Sequence, residues 1–307
     1  MRLISWNCQG AFRNKQEKII ELEPDLAIII ECEAIEKIKF GKEPNHRYWY
    51  GNQKKGIGIF SFSDYKITPL TIFNPYFKHV VPLIIHNKDT SFLLFAIWAM
   101  DSKENPNHRY IGQVWLAINF YKKLLNINTI LIGDFNSNQI WDEKERVGNH
   151  TDVVNLLAEK RIISLYHEQE KIKHGEEKEH TFFMYRNTEK KYHIDYAFAS
   201  EDLIKKGYVF KIENYLNWKH LSDHTPLIID FTKFEKEKKI EIDSVDFITS
   251  KLKNLNLDIQ DKFKAEIKSI SKMVNSELNK ENVSEIYHQI NILEQIELLV
   301  NKLHKKS

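Results

Sequence analysis

The chain of 307 residues lacks most of the features that mark secreted and membrane proteins. It has two cysteines, Cys8 and Cys32, both close to apolar runs. We therefore expect two buried, reduced thiols, with a disulfide between them as the alternative. No apolar run approaches the roughly 18 residues that a membrane span requires. The N-terminus turns polar too early for a signal peptide, so a cytoplasmic protein without membrane contact is predicted.

A large charge of one sign is also absent. The chain has 45 Lys and Arg against 43 Asp and Glu, a formal net charge of +2. This balance neither requires nor excludes nucleic acid, because binding depends on local clustering of charge. Hydrophobic residues make up 42% and charged residues 29%, which is ordinary for a soluble globular protein. The length allows one large domain or two modest ones.

Short, unbroken apolar runs recur through the first three quarters of the chain, most clearly at residues 26–30, 92–98 and 129–133. Such runs are typical of strands buried on both faces. Further strands are predicted at residues 2–6, 57–62, 80–86, 193–199 and 227–231. Amphipathic helices are predicted at residues 15–23, 111–125 and 151–160, the last capped by Thr151. Strands that alternate with helices indicate a layered α/β domain.

The composition changes near residue 233. Residues 234–239 are nearly all charged, and no glycine, proline or tryptophan follows them. Apolar residues then recur three or four apart through residues 252–274 and again through residues 283–300. We predict an α/β domain at residues 1–233 and an all-α extension at residues 234–307, a helical hairpin or small bundle. The extension packs on the first domain, or it pairs with a second copy or a protein partner.

Polar side chains stand at the ends of the predicted strands. They are Asn7, Glu31, Asp134 with Asn136, Asp195, and Asp223 with His224. Carboxylates and carboxamides at sheet ends can converge on one crevice, where oxygen ligands bind Mg²⁺ or Mn²⁺. Each alone has an ordinary alternative as a helix cap, a turn residue or a surface histidine. Their occurrence as a set favours a functional site.

These stretches resemble the endonuclease/exonuclease/phosphatase superfamily, which includes DNase I, exonuclease III-type abasic-site endonucleases, neutral sphingomyelinases and inositol polyphosphate phosphatases. The matching stretches follow the family's order. They are residues 4–7 (Ile-Ser-Trp-Asn), 24–31 (from Pro-Asp-Leu to Glu), 133–136 (Gly-Asp-Phe-Asn), 194–196 (Ile-Asp-Tyr) and 222–227 (Ser-Asp-His-Thr-Pro-Leu). The resemblance covers residues 1 to about 232. It implies a four-layer α/β sandwich of two packed β-sheets flanked by helices, and metal-dependent hydrolysis of phosphoester bonds.

The resemblance also implies which residues hold the metal cofactor. Glu31 would bind the catalytic Mg²⁺ or Mn²⁺, with Asn7 beside it and Asp223 supporting the same side. A small number of protein ligands suits Mg²⁺, because this ion keeps several of its waters.

Catalytic roles are implied in the same way. Asp134 would orient or deprotonate the attacking water, and Asn136 would bind the scissile phosphate. His224 would contact a phosphate oxygen, and Asp195 would fix its tautomer. Phosphodiester hydrolysis needs an in-line water and stabilisation of the developing charge, and an Asp–His pair supplies an oriented imidazole.

The chain departs from the family after the central strand, where members usually have a histidine or tyrosine. Residues 98–101 read Trp-Ala-Met-Asp here. His108, Arg109 and Tyr110 follow and could reach back over the site. Arg109 is a candidate for a phosphate contact, with a solvated surface arginine as the alternative.

Residues 180–187 resemble the aromatic-plus-arginine loop of the DNA-acting members. Phe182 and Arg186 are therefore candidate substrate-binding residues, since exposed aromatics beside arginine can stack on bases. The alternative is that Phe182 and Phe183 belong to the core. We predict a DNA endonuclease or exonuclease, ahead of an RNA or nucleotide phosphodiesterase. A phosphatase acting on phospholipid or inositol phosphate comes third, and a non-enzymatic binding module ranks last.

Overall fold

The apolar runs of the sequence form the central strands of two β-sheets. The computed structural model describes residues 1–52, 54–70, 73–77, 79–101, 109–126 and 128–231. The strands are β1 (Arg2–Asn7), β2 (Leu26–Cys32), β3 (His46–Gly51), β4 (Gly56–Ser61), β5 (Lys66–Pro69), β6 (Val80–His86), β7 (Ser91–Trp98), β8 (Thr129–Asp134), β9 (Ile162–Ser164), β10 (Phe182–Phe183), β11 (Lys191–Tyr192), β12 (Asp195–Ser200), β13 (Tyr208–Ile212) and β14 (Leu227–Phe231). The α-helices are α1 (Gln16–Ile20), α2 (Ile111–Phe120), α3 (His150–Ala158), α4 (Leu165–Glu170) and α5 (Glu201–Ile204). Single-turn 3₁₀ helices lie at Phe12–Asn14, Ile35–Lys37, Pro75–Phe77, Leu124–Asn126, Gln139–Trp141, Met184–Arg186 and Tyr215–Asn217.

Two six-stranded sheets and one short hairpin contain the strands of the described residues. Sheet A has the order β13-β14-β1-β2-β4-β3, and sheet B has the order β5-β6-β7-β8-β12-β9. β10 pairs with β11 in the hairpin. The sheets are mainly antiparallel, but each has one parallel pair near its centre, β1 with β2 and β7 with β8. The carboxyl ends of these paired strands lie at one edge of each sheet, which is where the polar residues of the sequence fall.

The sheets pack face to face on a shared core. Leu3 and Ile28 of sheet A join Leu94 and Ile130 of sheet B in one buried cluster. Because successive side chains of a strand alternate between faces, the intervening residues pack outward. Those of sheet A form a second buried cluster with Ile19 of α1. On sheet B, Phe95 of β7 and Val114 and Ile118 of α2 are buried as well. Burial on both faces explains the unbroken apolar runs, and the predicted α/β sandwich is confirmed.

The ends of the helices differ from the predictions. The helix predicted at residues 111–125 ends at Phe120. α3 begins at His150 with Asn149 as its N-cap, so the prediction of Thr151 as the cap was wrong. The Asp152 carboxylate accepts the backbone N–H of Asn149 at 2.9 Å, while the Thr151 hydroxyl donates to Asp142 upstream. The cap therefore lies two residues earlier than the sequence pattern suggested.

Both cysteines are buried and free, as expected for reduced thiols. Burial raises the pKa of the Cys8 thiol to about 12, which keeps it protonated and unreactive. The predicted all-α extension at residues 234–307 lies outside the described residues, so its helices and its pairing remain predictions. Within the described residues, no helix is long and apolar enough to cross a membrane.

Candidate active site

Strand ends from the two sheets meet at the predicted site. Asp134 ends β8 and Asp195 begins β12, directly opposite each other in the antiparallel pair. Asn7 ends β1 in the other sheet, and its side-chain Nδ2 donates to Asp134 Oδ2 at 3.0 Å. One hydrogen bond thus joins the sheets at the point where the two carboxylates lie side by side.

The backbone around Asp134 is fixed by two unusual conformations. Gly133 has φ +140°, and a Cβ at this position would collide with the carbonyl of Ile97 in the neighbouring strand, so only glycine fits. Asn136 has φ +47°, which asparagine tolerates better than most residues. Its backbone N–H donates to Asp134 Oδ1 at 2.9 Å, and its Nδ2 donates to the Ala99 carbonyl at 2.9 Å. The tight turn therefore holds the Asp134 carboxylate in one orientation.

His224 is buried and paired with Asp195. Its Nδ1 lies 2.8 Å from Asp195 Oδ2, which places a proton on Nδ1. The backbone of His224 is fixed on both sides, since its N–H donates to Ser222 Oγ at 3.0 Å and its carbonyl accepts Trp6 Nε1 at 3.1 Å. Ser222 Oγ in turn donates to the Asn7 carbonyl at 2.7 Å. The imidazole is thus oriented by a carboxylate, as in hydrolase Asp–His pairs.

Burial and mutual charge shift the proton affinities of these groups. Burial raises the pKa of Asp134 to about 7, the negative charge of Asp195 adds to the increase, and His224 opposes it. Burial alone would lower the pKa of His224, but the charge and hydrogen bond of Asp195 and the charge of Asp134 raise it to about 9. At neutral pH His224 is therefore an imidazolium, and the carboxyl group of Asp134 is only partly ionised. Such shifts are typical of acid–base sites.

Asp134, Asp195 and His224 have side-chain N and O atoms within 4.8 Å of one another. This grouping could in principle hold a metal ion. However, Asp195 and His224 already form a short hydrogen bond with each other. Asp134 accepts hydrogen bonds from Asn7 and Asn136. The three residues thus form an Asp–His pair beside a third, separately hydrogen-bonded carboxyl group.

Glu31 lies at the neighbouring strand end because of a β-bulge. The register between β2 and β4 shifts between Ile30 and Cys32, and Glu31 has φ +59°. A bulge turns a side chain away from the regular alternation of a strand. Ile30 is opposite Asn7 in the β1–β2 pair, so Glu31 is the next residue along β2 after that pair. Its carboxylate forms an ion pair with the ammonium group of Lys55, a residue that the sequence patterns did not indicate.

Asp223 joins the site through Gln9, which the sequence patterns also missed. Gln9 Nε2 donates to Asp223 Oδ2 at 2.8 Å, and its backbone N–H donates to Asn7 Oδ1 at 3.0 Å. Gln9 Oε1 also accepts Arg186 Nη2 at 2.6 Å. Gln9 thus connects β1 through its backbone, and through its side chain the loop before β14 and the arginine that was predicted to bind substrate.

The donor atoms of Glu31, Asn7 and Asp223 fit a hard divalent cation. They are two carboxylates and one amide oxygen, the ligand types that Mg²⁺ and Mn²⁺ prefer. Lys55 forms an ion pair with Glu31, so a metal at this carboxylate would compete with its ammonium group. The chemistry of the donor set therefore fits the metal that the fold implies.

The hairpin β10–β11 lies against His224. The Phe182 ring centroid is 4.7 Å from that of His224, and a β-bridge joins the two backbones. Phe183 points to the core, where it is buried and stacks on Tyr215 at 3.6 Å between ring centroids. Of the two phenylalanines, one is therefore core and the other contacts the imidazole.

The turn of this hairpin is exposed. Arg186 is exposed, and it reaches Gln9 as described above. Tyr185 is 84% exposed, and Lys190 Nζ lies 5.8 Å from its ring centroid. Both Tyr185 and Arg186 have positive φ. A sharp turn thus presents an aromatic ring and two cationic side chains next to the site.

The segment that departs from the family pattern begins at Trp98, the last residue of β7. Trp98 is opposite Asp134 in the β7–β8 pair, and Tyr110 N–H donates to the Met100 carbonyl at 2.8 Å. Arg109 is exposed, and its carbonyl accepts Arg146 Nη2 at 2.9 Å. Within the described residues, no hydrogen bond or ion pair joins the Arg109 guanidinium to the site. His108 lies outside the described residues.

Solved structures of known proteins share this architecture. An AP endonuclease from Archaeoglobus fulgidus superposes with a TM-score of 0.56 at 15% identity, over 76% of this chain and 99% of that chain. The 3′ phosphatase NExo from Neisseria bound to product DNA hairpin gives a TM-score of 0.56 at 17% identity, over 75% and 99%. The endonuclease domain of TRAS1, a telomere-specific non-LTR retrotransposon, gives 0.52 at 16% identity, over 76% and 99%. No family model and no curated protein matches the sequence. The chain therefore has the endonuclease/exonuclease/phosphatase fold, as the sequence motifs implied.

Proposed function

We propose that this chain is a divalent-metal-dependent phosphodiesterase that cleaves nucleic acid, with DNA ahead of RNA. The main support is the buried Asp195–His224 pair beside Asp134, at the junction of the two sheets. A carboxylate with a pKa near neutrality and an imidazolium at one point supply both a base and a stabilising cation.

In this proposal Asp134 is the base. It accepts a proton from the attacking water, for which a pKa of about 7 is well matched. The water oxygen bonds to phosphorus as the P–O bond to the leaving oxygen breaks, and that oxygen takes a proton from solvent. Asn7 and Asn136 donate to its oxygens and hold it in place. His224 is protonated and donates a hydrogen bond to a non-bridging phosphate oxygen, while Asp195 holds the Nδ1 proton. Asn136 lies on the same turn and contacts the scissile phosphate.

Glu31, Asn7 and Asp223 would hold the metal. When bound, Mg²⁺ or Mn²⁺ would neutralise negative charge on the phosphate oxygens and so stabilise the developing charge of the transition state. Lys55 balances the Glu31 carboxylate in the free protein. Gln9 keeps Asp223 and Asn7 at a fixed separation through two hydrogen bonds.

The hairpin supports a nucleic-acid substrate. Phe182 contacts His224, and Tyr185, Arg186 and Lys190 stand exposed at the adjacent turn. Aromatic faces stack on bases and cationic side chains neutralise the phosphate backbone. The structural neighbours include an AP endonuclease and an enzyme bound to a DNA hairpin, which supports DNA as the first substrate to test.

The decisive experiment is cleavage of supercoiled plasmid, single-stranded DNA and single-stranded RNA in Mg²⁺, Mn²⁺ or EDTA. Glu31→Gln and His224→Ala are expected to lose at least about 100-fold in rate. The exposed Glu36→Gln and the edge-strand His46→Ala serve as matched controls and should retain wild-type rates. Cleavage that persists in EDTA, or in both site variants, would refute the assignment. Clean protein that cleaves none of the polymers would direct the search to nucleotide, inositol or lipid phosphoesters.

A second experiment tests the hairpin. Tyr185→Ser with Arg186→Ala should raise the KM for DNA by roughly 10-fold or more, since stacking and phosphate contacts are worth roughly 1–3 kcal/mol each. Hydrolysis of a small chromogenic phosphodiester should be unchanged, because it is too short to reach the turn. Equal losses on both substrates would mean that the hairpin supports the site rather than the polymer.

A further inference from the structure

A second group of titratable side chains lies on the outer face of sheet B. In β12 the side chains alternate between faces, with Asp195 in the active site and Ala197 in the core between the sheets. Tyr196 lies on the opposite face, where its ring centroid is 4.9 Å from that of His150 and 5.9 Å from that of His174. The sheet therefore separates this histidine cluster from the active site.

Three side chains of the cluster lie close enough together to hold one metal ion. His167 lies on α4, and His174 and Glu177 follow on the next loop. Each offers one ligand atom, and these atoms all lie within 4.8 Å of one another. His167 Nε2 is 3.0 Å from Glu177 Oε1, and His150 Nε2 is 3.0 Å from His174 Nδ1. Nothing in the proposed hydrolysis uses these groups.

The converging side chains are held by a further layer of hydrogen bonds. Ser164 Oγ lies 2.7 Å from His167 Nδ1, which directs the other nitrogen, Nε2, toward Glu177. Glu177 Oε1 accepts the backbone N–H of Gly175 at 3.0 Å, and its Oε2 lies 3.2 Å from Asn138 Nδ2. Metal-ligating imidazoles and carboxylates are characteristically fixed through their remaining polar atoms in this way.

His193 provides an independent observation. It is 2% exposed, and its Nδ1 bonds the Glu179 carbonyl at 2.9 Å. Within the described residues, its Nε2 has no hydrogen-bond partner, although its ring lies 6.0 Å from that of His167. Buried polar atoms without partners are rare and costly.

We propose that His167, His174 and Glu177 bind one Zn²⁺ ion at a site separate from the catalytic metal. Two imidazoles and one carboxylate form a donor set that favours Zn²⁺ over Mg²⁺. Zn²⁺ is typically four-coordinate, and the fourth position falls to water or to His150, which already contacts His174.

The ion would stabilise, from the outer face of sheet B, the loops that carry Asn136 and Asp195. Asn138, which contacts Glu177, is two residues after Asn136. His193, at the edge of the cluster, is two residues before Asp195. The ion would also fasten the loop after α4 onto the sheet. Its role is therefore structural, and its effect on the active site is one of positioning.

The test is metal content, measured on the full chain stripped with a chelator and dialysed against Zn²⁺. Wild type and Glu31→Gln should both retain one Zn²⁺ per chain, because Glu31 lies in the other site. His174→Ala should lose Zn²⁺ affinity by at least 100-fold. His180→Ala, on the same loop but outside the converging group, is the matched control and should bind as wild type does. Circular dichroism checks that each variant is folded.

X-ray absorption at the zinc edge of the wild-type protein makes the test independent of the variants. The expected spectrum contains at least two histidine ligands and the remainder nitrogen or oxygen. Coordination by oxygen alone would overturn the proposal, as would wild type that retains no Zn²⁺. Equal binding by His174→Ala, or loss in Glu31→Gln alone, would place the ion elsewhere and would also overturn it. None of these outcomes depends on nuclease activity, so failure here leaves the proposed function standing.

Discussion

Asp134 carries a pKa of about 7 where an ordinary aspartate has 3.8, first because of burial and then because of Asp195. The folded protein therefore holds this proton more tightly than the unfolded chain does. Stability is then lost as the pH rises from about 4 through 7. A shift of roughly 3 pKa units corresponds to roughly 4 kcal/mol, at about 1.36 kcal/mol per unit. An asparagine at this position has no charge to bury and escapes this loss.

Asp134→Asn also has a cost. Asn7 Nδ2 and Asn136 Nδ2 donate to Asp134 Oδ2, and the backbone N–H of Asn136 donates to Oδ1. An amide cannot accept hydrogen bonds at both of its ends, so one oxygen's donors lose their acceptor. The lost acceptor costs roughly 1–2 kcal/mol. We therefore expect the variant to be inactive and slightly less stable than wild type below pH 5. Above pH 7 it should be more stable, by roughly 2–3 kcal/mol.

The assay is urea unfolding followed by tryptophan fluorescence in EDTA, at steps between pH 4.5 and 8. The exposed Asp89→Asn is the control and should give a curve parallel to that of wild type. The informative quantity is how the difference in unfolding free energy between variant and wild type changes with pH, rather than its value at any single pH. If the Asp134→Asn curve is also parallel to wild type, Asp134 does not titrate near neutrality and its assignment as the base fails.

Four further predictions follow from the site. The rate of hydrolysis against pH should be bell-shaped, rising as Asp134 loses its proton near pH 7 and falling as His224 loses its proton near pH 9. Asp195→Asn should move the alkaline limb to lower pH and reduce kcat by roughly 100-fold or more, because the carboxylate raises the pKa of His224 and fixes its tautomer; an unmoved limb would exclude His224 as its origin. Lys55→Met should lower the Mg²⁺ concentration needed for half-maximal rate several-fold by removing a competing cation, and a higher requirement would show that Lys55 assists the metal site instead. Gly133→Ala should cost roughly 3 kcal/mol or more in thermal unfolding experiments, since its φ and its contact with Ile97 exclude a Cβ; a neutral effect would contradict the tight approach of β8 to β7.

The central strands could be predicted because burial on both faces leaves an unbroken apolar run, as in β2, β7 and β8. The edge strands β3, β5 and β13 could not, since their side chains are partly exposed and charged residues interrupt them. An exposed edge imposes little hydrophobic pattern. The layers of the fold therefore follow from the sequence, whereas the width of each sheet does not.

The site residues also divide into those that the sequence predicts and those that it does not. The strand-end rule indicated Asn7, Asp134 and Asp195, which do meet in the structure. Lys55 and Gln9 could not be predicted, because Glu31 and Asp223, their partners, are distant in the chain and are brought close only by the loops. The histidine cluster could not be predicted for the same reason, since its members come from two helices and a loop. Sequence patterns describe one element at a time, and these contacts arise between elements.

The pairing of β1 with β14 has a consequence for biosynthesis. β1 lies between β2 and β14 in sheet A, so it cannot be paired on both sides until β14, more than 200 residues later in the chain, has been made. Pairings between distant segments form slowly and late. His224 also comes from this final stretch. A partly made chain that ends before it would contain Asp134 and Glu31 but would lack the buried Asp195–His224 pair. The arrangement of side chains at the junction of the two sheets is therefore completed only when the last strand of the described residues joins sheet A.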